Sequence, residues 1–440
     1  MGRPTIGIRA EDKNRWERRA PLTPEHVREL VAEQGLAVCV ERSAKRAFAD
    51  ADYASAGATL ADDLAPCPVI LGVKEIPPAK LAADKVYVCF SHVTKGQRAS
   101  MPMLRRLLEL GCTLIDYEQI VDRRGRRLIF FGRHAGYAGM IDALWALGQR
   151  LAAEGSFTPL EHVRPALQYG GIDEALAHLS RLGEHIRHLG IPPPRRPIVC
   201  GFTGSGNVAQ GAREVFDRLP VVEIEPEELL DLEEDRDRPR NTLYRCNFQR
   251  HHRFRRRDGG PLDVEELARH PERYESGLTP FLRHLTMLVH GAFWRPPQPR
   301  LVTRSVLSEL FAAETRPKLR VIADLSCDVD GAIEATVRAT TPAEPVFVYE
   351  PASGATRSGV EGAGVVVLAV DNLPCELPVE ASNHFGDSLM RFVGALTRCD
   401  WGRPAGDLAL PAELARAVIV HRGQLTPSYL DLARHLEETT

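Results

Sequence analysis

The chain has 440 residues, 44% of them hydrophobic and 26% charged, with 56 basic side chains against 59 acidic ones. That length exceeds one compact core and implies two or three domains. Balanced charge removes the bulk positive field of a nucleic-acid binder, and no apolar run approaches the ~18 residues of a membrane span. Small-molecule chemistry remains, with neither nucleic acid nor membrane among the expected partners.

The opening residues lack the apolar core of a signal peptide, and Ile6 stands where a myristoylation signal needs Ser or Thr, so a cytoplasmic location is expected. Nine cysteines are widely spaced without a C-x-x-C, and Cys39, Cys89 and Cys200 sit in apolar runs, which reads as reduced core thiols. Neither they nor the pair His251-His252 offers zinc spacing, so no metal is expected. Arginine outnumbers lysine 49 to 7, yet four of the lysines fall between positions 74 and 95.

From Thr5 to Gly132 short apolar runs alternate with helical stretches, the pattern of a parallel sheet covered by helices. The predicted strands are Thr5 to Ile8, Leu36 to Val40, Val69 to Val73, Val86 to Phe90 and Thr113 to Asp116. Thr23-Pro24-Glu25 opens a helix reaching to Gly35, and Met101 to Leu110 forms another, stopped by Gly111. Around Gly136 a longer helix with small residues reads as a crossover between domains. Helices continue to Leu189, and the prolines from Pro192 to Pro197 predict a stiff linker. Residues 226–300 are poorly patterned and read as an insertion; strands resume at Arg320 to Leu325, Val346 to Tyr349 and Val365 to Val370, and helices fill the tail.

The strand Ile198 to Phe202 runs into Gly204-Ser205-Gly206-Asn207-Val208-Ala209 and then a helix to Leu219. That order suits a dinucleotide: Gly204 makes the tight turn, Gly206 admits a pyrophosphate to the helix N-terminus, and Ala209 packs helix on strand. About 20 residues further on, Glu225 ends a second strand and could bind a ribose 2′-hydroxyl, which favours NAD. Arg245, Arg250, Arg253 and Arg255 to Arg257 could instead meet the 2′-phosphate of NADP, or form a solvated loop. The residues alone leave that choice open.

Lys74-Glu75 and Ser91-His92-Val93-Thr94-Lys95 end successive strands, where an α/β sheet exposes its ligand crevice. Two cationic groups held close depress each other's pKa, which makes Lys74 and His92 an acid/base pair. Arg18, Arg19, Arg126 and Arg127 are suited to substrate carboxylates by their forked geometry. Glu118 is a carboxylate able to tune the Lys and His.

The segments Ile8 to Pro24, Phe90 to Gln97, Phe131 to Asp142, Gly204 to Val208 and Asp371-Asn372-Leu373-Pro374 resemble the lysine–ketoglutarate reductase half of α-aminoadipic semialdehyde synthase. More distantly the chain is similar to saccharopine and alanine dehydrogenases. The resemblance implies an α/β fold of two Rossmann-like domains with parallel sheets facing across a cleft. Residues 1–135 with 373–440 would form the substrate domain, and 136–372 the dinucleotide-binding domain, with the stretch from Asp371 and Asn372 a hinge strand near the nicotinamide. It implies Lys74 and His92 as the acid/base pair, and Arg18, Arg19, Lys95, Glu118 and Arg126 as substrate-binding residues.

The implied activity is the condensation of L-lysine with 2-oxoglutarate and reduction of the imine to L-saccharopine, with NADP as cofactor and NAD the alternative. Two other readings stay open: an opine- or alanine-type dehydrogenase with another amine or oxo acid, and a non-catalytic nucleotide-binding module. Because eukaryotic reductases are commonly fused to a saccharopine dehydrogenase, a separate protein is expected for the next step. Homo-oligomerisation is compatible with all of this.

Overall fold

The computed structural model describes residues 5–191, 197–232, 239, 241–314 and 317–437. The expected proline linker, residues 192–196, lies outside them. By contacts the chain divides into two units, Met1–Phe131 with Pro378–Thr440, and Gly132–Leu377. The sequence reading had put these divisions after 135 and after 372.

The first unit begins with β1 (Thr5–Ile8), β2 (Ala37–Glu41), β3 (Thr59–Ala61), β4 (Val69–Leu71), β5 (Val86–Cys89) and β6 (Thr113–Asp116). The second holds β7 (Val199–Thr203), β8 (Val221–Ile224), β9 (Leu243–Phe248), β10 (Phe254–Arg256), β11 (Tyr274–Ser276), β12 (Met287–His290), β13 (Val321–Asp324), β14 (Val346–Tyr349), β15 (Thr356–Ser358) and β16 (Val365–Leu368). Then β17 (Val418–His421) and β18 (Gln424–Leu425) rejoin the first unit.

Each unit is built on one eight-stranded sheet, ordered β18-β17-β6-β5-β4-β1-β2-β3 in the first and β15-β14-β16-β13-β12-β7-β9-β8 in the second. Strands β1 to β6 are all parallel, as are β7, β8, β9, β12, β13 and β16. Only the flanks turn antiparallel: β17 and β18 on one sheet, β14 and β15 on the other. A parallel sheet covered on both faces needs strands apolar on both faces. Val365–Leu368, read as Val-Val-Val-Leu and wholly buried, is such a strand.

Two sequence expectations fail here. The tail is not all helix, because after the helix Pro378–Arg398 the run Val418–His421 pairs with β6. The stretch 226–300 is not simply an insertion, since β9 and β12 flank β7 on either side. In Leu-Tyr-Arg-Cys-Asn-Phe, Arg245 and Asn247 alternate with buried residues, so the strand reads as mixed polarity between charged neighbours. Among the described residues, the β10–β11 ribbon alone stands outside the main sheets.

The small residues of the helix Gly132–Ala153 allow close packing within the second unit. A Cβ on Gly136 would lie 2.1 Å from the carbonyl oxygen of Val208, and one on Gly211 would lie 2.3 Å from that of Arg133. The helix Asn207–Phe216 therefore meets this helix almost backbone to backbone.

Sheet order fixes where ligands can bind. β1 lies between β2 and β4, and β7 between β9 and β12. At each, the chain leaves the strand in one direction and later returns on the other side, opening a crevice at the carboxyl ends.

Candidate active site

In the first unit the loops following β1, β4, β5 and β6 share one sheet edge, because these strands are parallel neighbours. Lys74 lies three residues beyond β4. Glu11, in the loop after β1, reaches across to it: its carboxylate accepts from the backbone N–H of Val73 at 2.7 Å and of Lys74 at 3.0 Å. Burial raises the Glu11 carboxyl above its ordinary range. Burial also lowers the Lys74 amine, helped by the positive charges of Arg19 and Lys13. Burial and these two charges, rather than the expected His92, are the largest influences that lower it.

His92 is held instead between two carboxylates. Its Nε2 is 3.8 Å from Glu75 and its Nδ1 3.7 Å from Glu118. The ring stacks on Phe90 with centroids 6.3 Å apart. Its backbone is left-handed at φ 54°, so the chain turns sharply just past β5. Asp116, at the end of β6, braces that turn from below. One oxygen accepts from the N–H and hydroxyl of Ser91, and the other accepts from the N–H of Glu118 at 2.8 Å.

Glu118 also faces Arg127 at 3.1 Å and Lys95 at 3.7 Å. Burial works against its charge, but the His92 ring, Arg127 and Lys95 outweigh that and hold its pKa at about 2. Glu118 is therefore a carboxylate throughout the neutral range. Lys95 joins the cluster as expected.

The arginines sort differently. Arg19 is buried and donates through Nε and Nη2 to both oxygens of the fully buried Glu17, with its guanidinium over the Phe131 ring at 4.2 Å. Arg18 is exposed and donates to the Lys45 carbonyl at 3.2 Å, and Arg126 is exposed and paired with Asp122 at 2.7 Å. Neither of them meets Glu118. The arginine at the cluster is Arg127, one position along. Glu75 was read beside Lys74 at this strand end, but Glu11, Glu17 and Asp116 were given no part in this edge by the sequence reading. Acidic residues near an arginine-rich motif carry no periodic signal, and only the strand order brings them under Lys74 and His92.

In the second unit the glycine turn sits at the carboxyl end of β7. Gly204 has φ 98°, and a Cβ there would lie 2.7 Å from the carbonyl oxygen of Gly291, so the position needs glycine. Gly206 caps the helix Asn207–Phe216, and a Cβ on it would meet nothing within 4 Å. Ser205, Gly206 and Asn207 are exposed, with Val208 partly covered and Ala209 buried. This open cradle at a helix N-terminus fits a dinucleotide pyrophosphate. His290, which the sequence reading passed over, ends β12 fully buried and meets the Thr203 hydroxyl at 2.8 Å beneath the turn.

Glu225 does not end the strand that lies beside β7. The strand beside β7 is β9, with Thr203 opposite Phe248, whereas β8 lies one strand farther out. Counting along the sequence found the second strand, but the third takes its place. The residues following β9 are Gln249 and Arg250, in place of a carboxylate. Asp371 and Asn372 follow β16 at this same edge, Asp371 exposed and Asn372 buried, ahead of a 3-10 turn, Leu373–Glu376, rather than a hinge strand. β13 and β12 separate β16 from β7.

Two mostly parallel sheets, one carrying a glycine cradle and the other a set of proton-carrying groups, each at its switch point, define a two-unit Rossmann-like protein. Residues 7–138 match the family model "Alanine dehydrogenase/PNT, N-terminal domain" and residues 286–428 match "Alanine dehydrogenase/PNT, C-terminal domain". The chain belongs to that family.

Among curated proteins it is 37% identical to "Alpha-aminoadipic semialdehyde synthase, mitochondrial" of Mus musculus, over 97% of this chain and 47% of that one. The Arabidopsis thaliana "Alpha-aminoadipic semialdehyde synthase" is 36% identical over 98% of this chain and 41% of its own length. The chain thus spans about half the length of these relatives or less. "Saccharopine dehydrogenase [NAD(+), L-lysine-forming]" of Neurospora crassa is 28% identical over 91% of this chain and 93% of its own. A solved L-alanine dehydrogenase shares the fold, with a TM-score of 0.62 and 21% identity over 98% of this chain and 99% of that one.

Proposed function

We propose that this chain condenses the ε-amine of L-lysine with 2-oxoglutarate and reduces the resulting imine with NADPH to L-saccharopine. The observation that carries the reading is the edge of the first sheet, where a lysine with a lowered pKa and a histidine held between carboxylates stand among Arg19, Lys95 and Arg127. The likeness to the semialdehyde synthases, which runs along nearly the whole chain, supports it.

In this reading His92 takes the proton of the substrate ammonium and returns one as water leaves, its ring placed between Glu75 and Glu118. Lys74, pushed towards the neutral amine, handles the proton of the substrate nitrogen. The basic groups hold carboxylates and so orient the reacting carbon. A nicotinamide dinucleotide bound at the Gly204–Val208 cradle supplies the hydride. Preference for NADPH follows from β9, which ends beside the cradle in Gln249 and Arg250, so that a 2′-phosphate would meet a cation there rather than a carboxylate.

The test is spectrophotometric: oxidation of NADPH and of NADH with lysine and 2-oxoglutarate together, and with each alone. Oxidation only with both substrates is expected. No oxidation with either cofactor removes the reading.

A further inference from the structure

Lys74 and His92 share a mode of support. Each lies on a loop whose backbone amides are pinned by a buried carboxylate from a neighbouring strand or loop. Glu11 receives the N–H groups of Val73 and Lys74 at 2.7 and 3.0 Å. Asp116 receives the N–H of Ser91 at 3.1 Å and of Glu118 at 2.8 Å, with the Ser91 hydroxyl as a third donor. Glu11 is 5% exposed and Asp116 not at all, so neither is placed to meet a substrate.

Burying a carboxylate is expensive unless hydrogen bonds satisfy it, and a loop could have been braced by cheaper groups. What the carboxylates add is reach and two acceptor atoms each. Glu11 spans from the β1 loop to the β4 loop, where Gly72 leaves the passage open: a Cβ there would lie 2.8 Å from Arg9 Cδ and 3.4 Å from Glu11 Oε1. Asp116 spans from β6 to the β5 loop, and its two oxygens tie the residue before His92 and the residue that faces His92. It therefore sets the spacing of ring and carboxylate at 3.7 Å.

We infer that Glu11 and Asp116 are positioning residues for the reaction, Glu11 acting through Lys74 and Asp116 through His92. This rests on the reading of Lys74 and His92 as the proton carriers. A displacement near 1 Å in such a group is enough to cost about 100-fold in rate.

A double-mutant cycle tests it. Glu11→Gln and Asp116→Asn keep shape but give up one of the two acceptors, and each is expected to lower kcat about 10- to 100-fold. KM for NADPH should stay within about twofold. On a Lys74→Met background, Glu11→Gln should add less than about threefold, and the same should hold for Asp116→Asn on His92→Gln, because a brace has no effect once the group it holds is gone.

Rates are expressed per cofactor-binding site, measured by nucleotide fluorescence titration, so that a smaller folded fraction does not count as slower chemistry. Ser91→Ala, which removes one donor to Asp116 and leaves the carboxylate, should give a smaller loss of the same kind and serves if Asp116→Asn does not fold; Glu11→Asp serves likewise. Equal effects on wild-type and partner-deleted backgrounds would overturn the inference while leaving the proton carriers intact. If Lys74→Met and His92→Gln themselves turn over normally, the functional reading falls and this inference with it.

Discussion

Arg19 and Glu17 form a two-pronged ion pair from which water is almost wholly excluded, the guanidinium Nε and Nη2 each donating to a different carboxylate oxygen. Removing one partner takes this two-pronged contact from a charge that stays buried. Arg19→Ala is expected to lower stability by about 3–5 kcal/mol, read from urea unfolding, besides weakening binding of substrate carboxylates. Arg19→Lys keeps the charge but loses the fork, and should fall between. An unchanged urea midpoint in Arg19→Ala would contradict the pairing.

Glu118 and Asp142 titrate in opposite directions. The folded pKa of Glu118, about 2, lies below the ordinary 4.5, so its contribution is present above 4.5 and is lost as pH falls from there towards 2. Glu118→Gln should flatten the loss of stability over that range. Asp142, on the helix Gly132–Ala153, is raised to about 6 from 3.8 by burial, with Glu376 beside it also raised, so it binds its proton more tightly when folded. That contribution is full below 3.8 and is lost as pH rises through 6. Asp142→Asn should therefore gain stability relative to the parent as pH rises from about 4 to 6, and keep that gain at higher pH. Thermal unfolding across pH 3 to 8 reads both effects.

Cofactor choice should follow strand order rather than sequence distance. Arg250→Ala is expected to reduce the ratio of kcat/KM for NADPH to that for NADH by about 10- to 100-fold. Glu225→Ala, one strand removed, should leave the ratio within about twofold. The reverse pattern in steady-state assays would return Glu225 to the ribose.

Gly136 and Gly211 have no room for a methyl group. Gly136→Ala must push two helices apart, at a cost of about 1–3 kcal/mol, and the glycine cradle begins the second of those helices. A lower melting temperature with weakened nucleotide binding is expected. Equal stability and affinity would show that the helices can separate freely.

The sequence made the parallel strands of the first unit and the glycine turn legible, because Val-rich runs and a strand–glycine–helix order carry their own periodicity. It also located Lys74, His92, Lys95 and Glu118, which end or follow such strands. It could not show β9 beside β7, since pairing order is a long-range outcome, and so Glu225 was placed one strand too near. Nor could it separate Arg126 from Arg127, adjacent residues of identical chemistry whose side chains leave a loop in different directions. Glu11 and Asp116 were invisible as braces for a further reason. Their partners are backbone amides, which every sequence has everywhere.

Strand β17 sets a condition on biosynthesis. It covers the open edge of β6, yet about 300 residues separate the two in the chain, including all of the second unit. A ribosome releases β1 to β6 long before their last neighbour exists. During that interval β6 offers unpaired amides and carbonyls to any other strand, a recognised route to mispairing. The second unit, continuous in sequence, can finish folding in the meantime. Truncation before residue 418 should then leave a nucleotide-binding unit attached to a first unit that aggregates through β6, and limited proteolysis of nascent chains would record the same order of events.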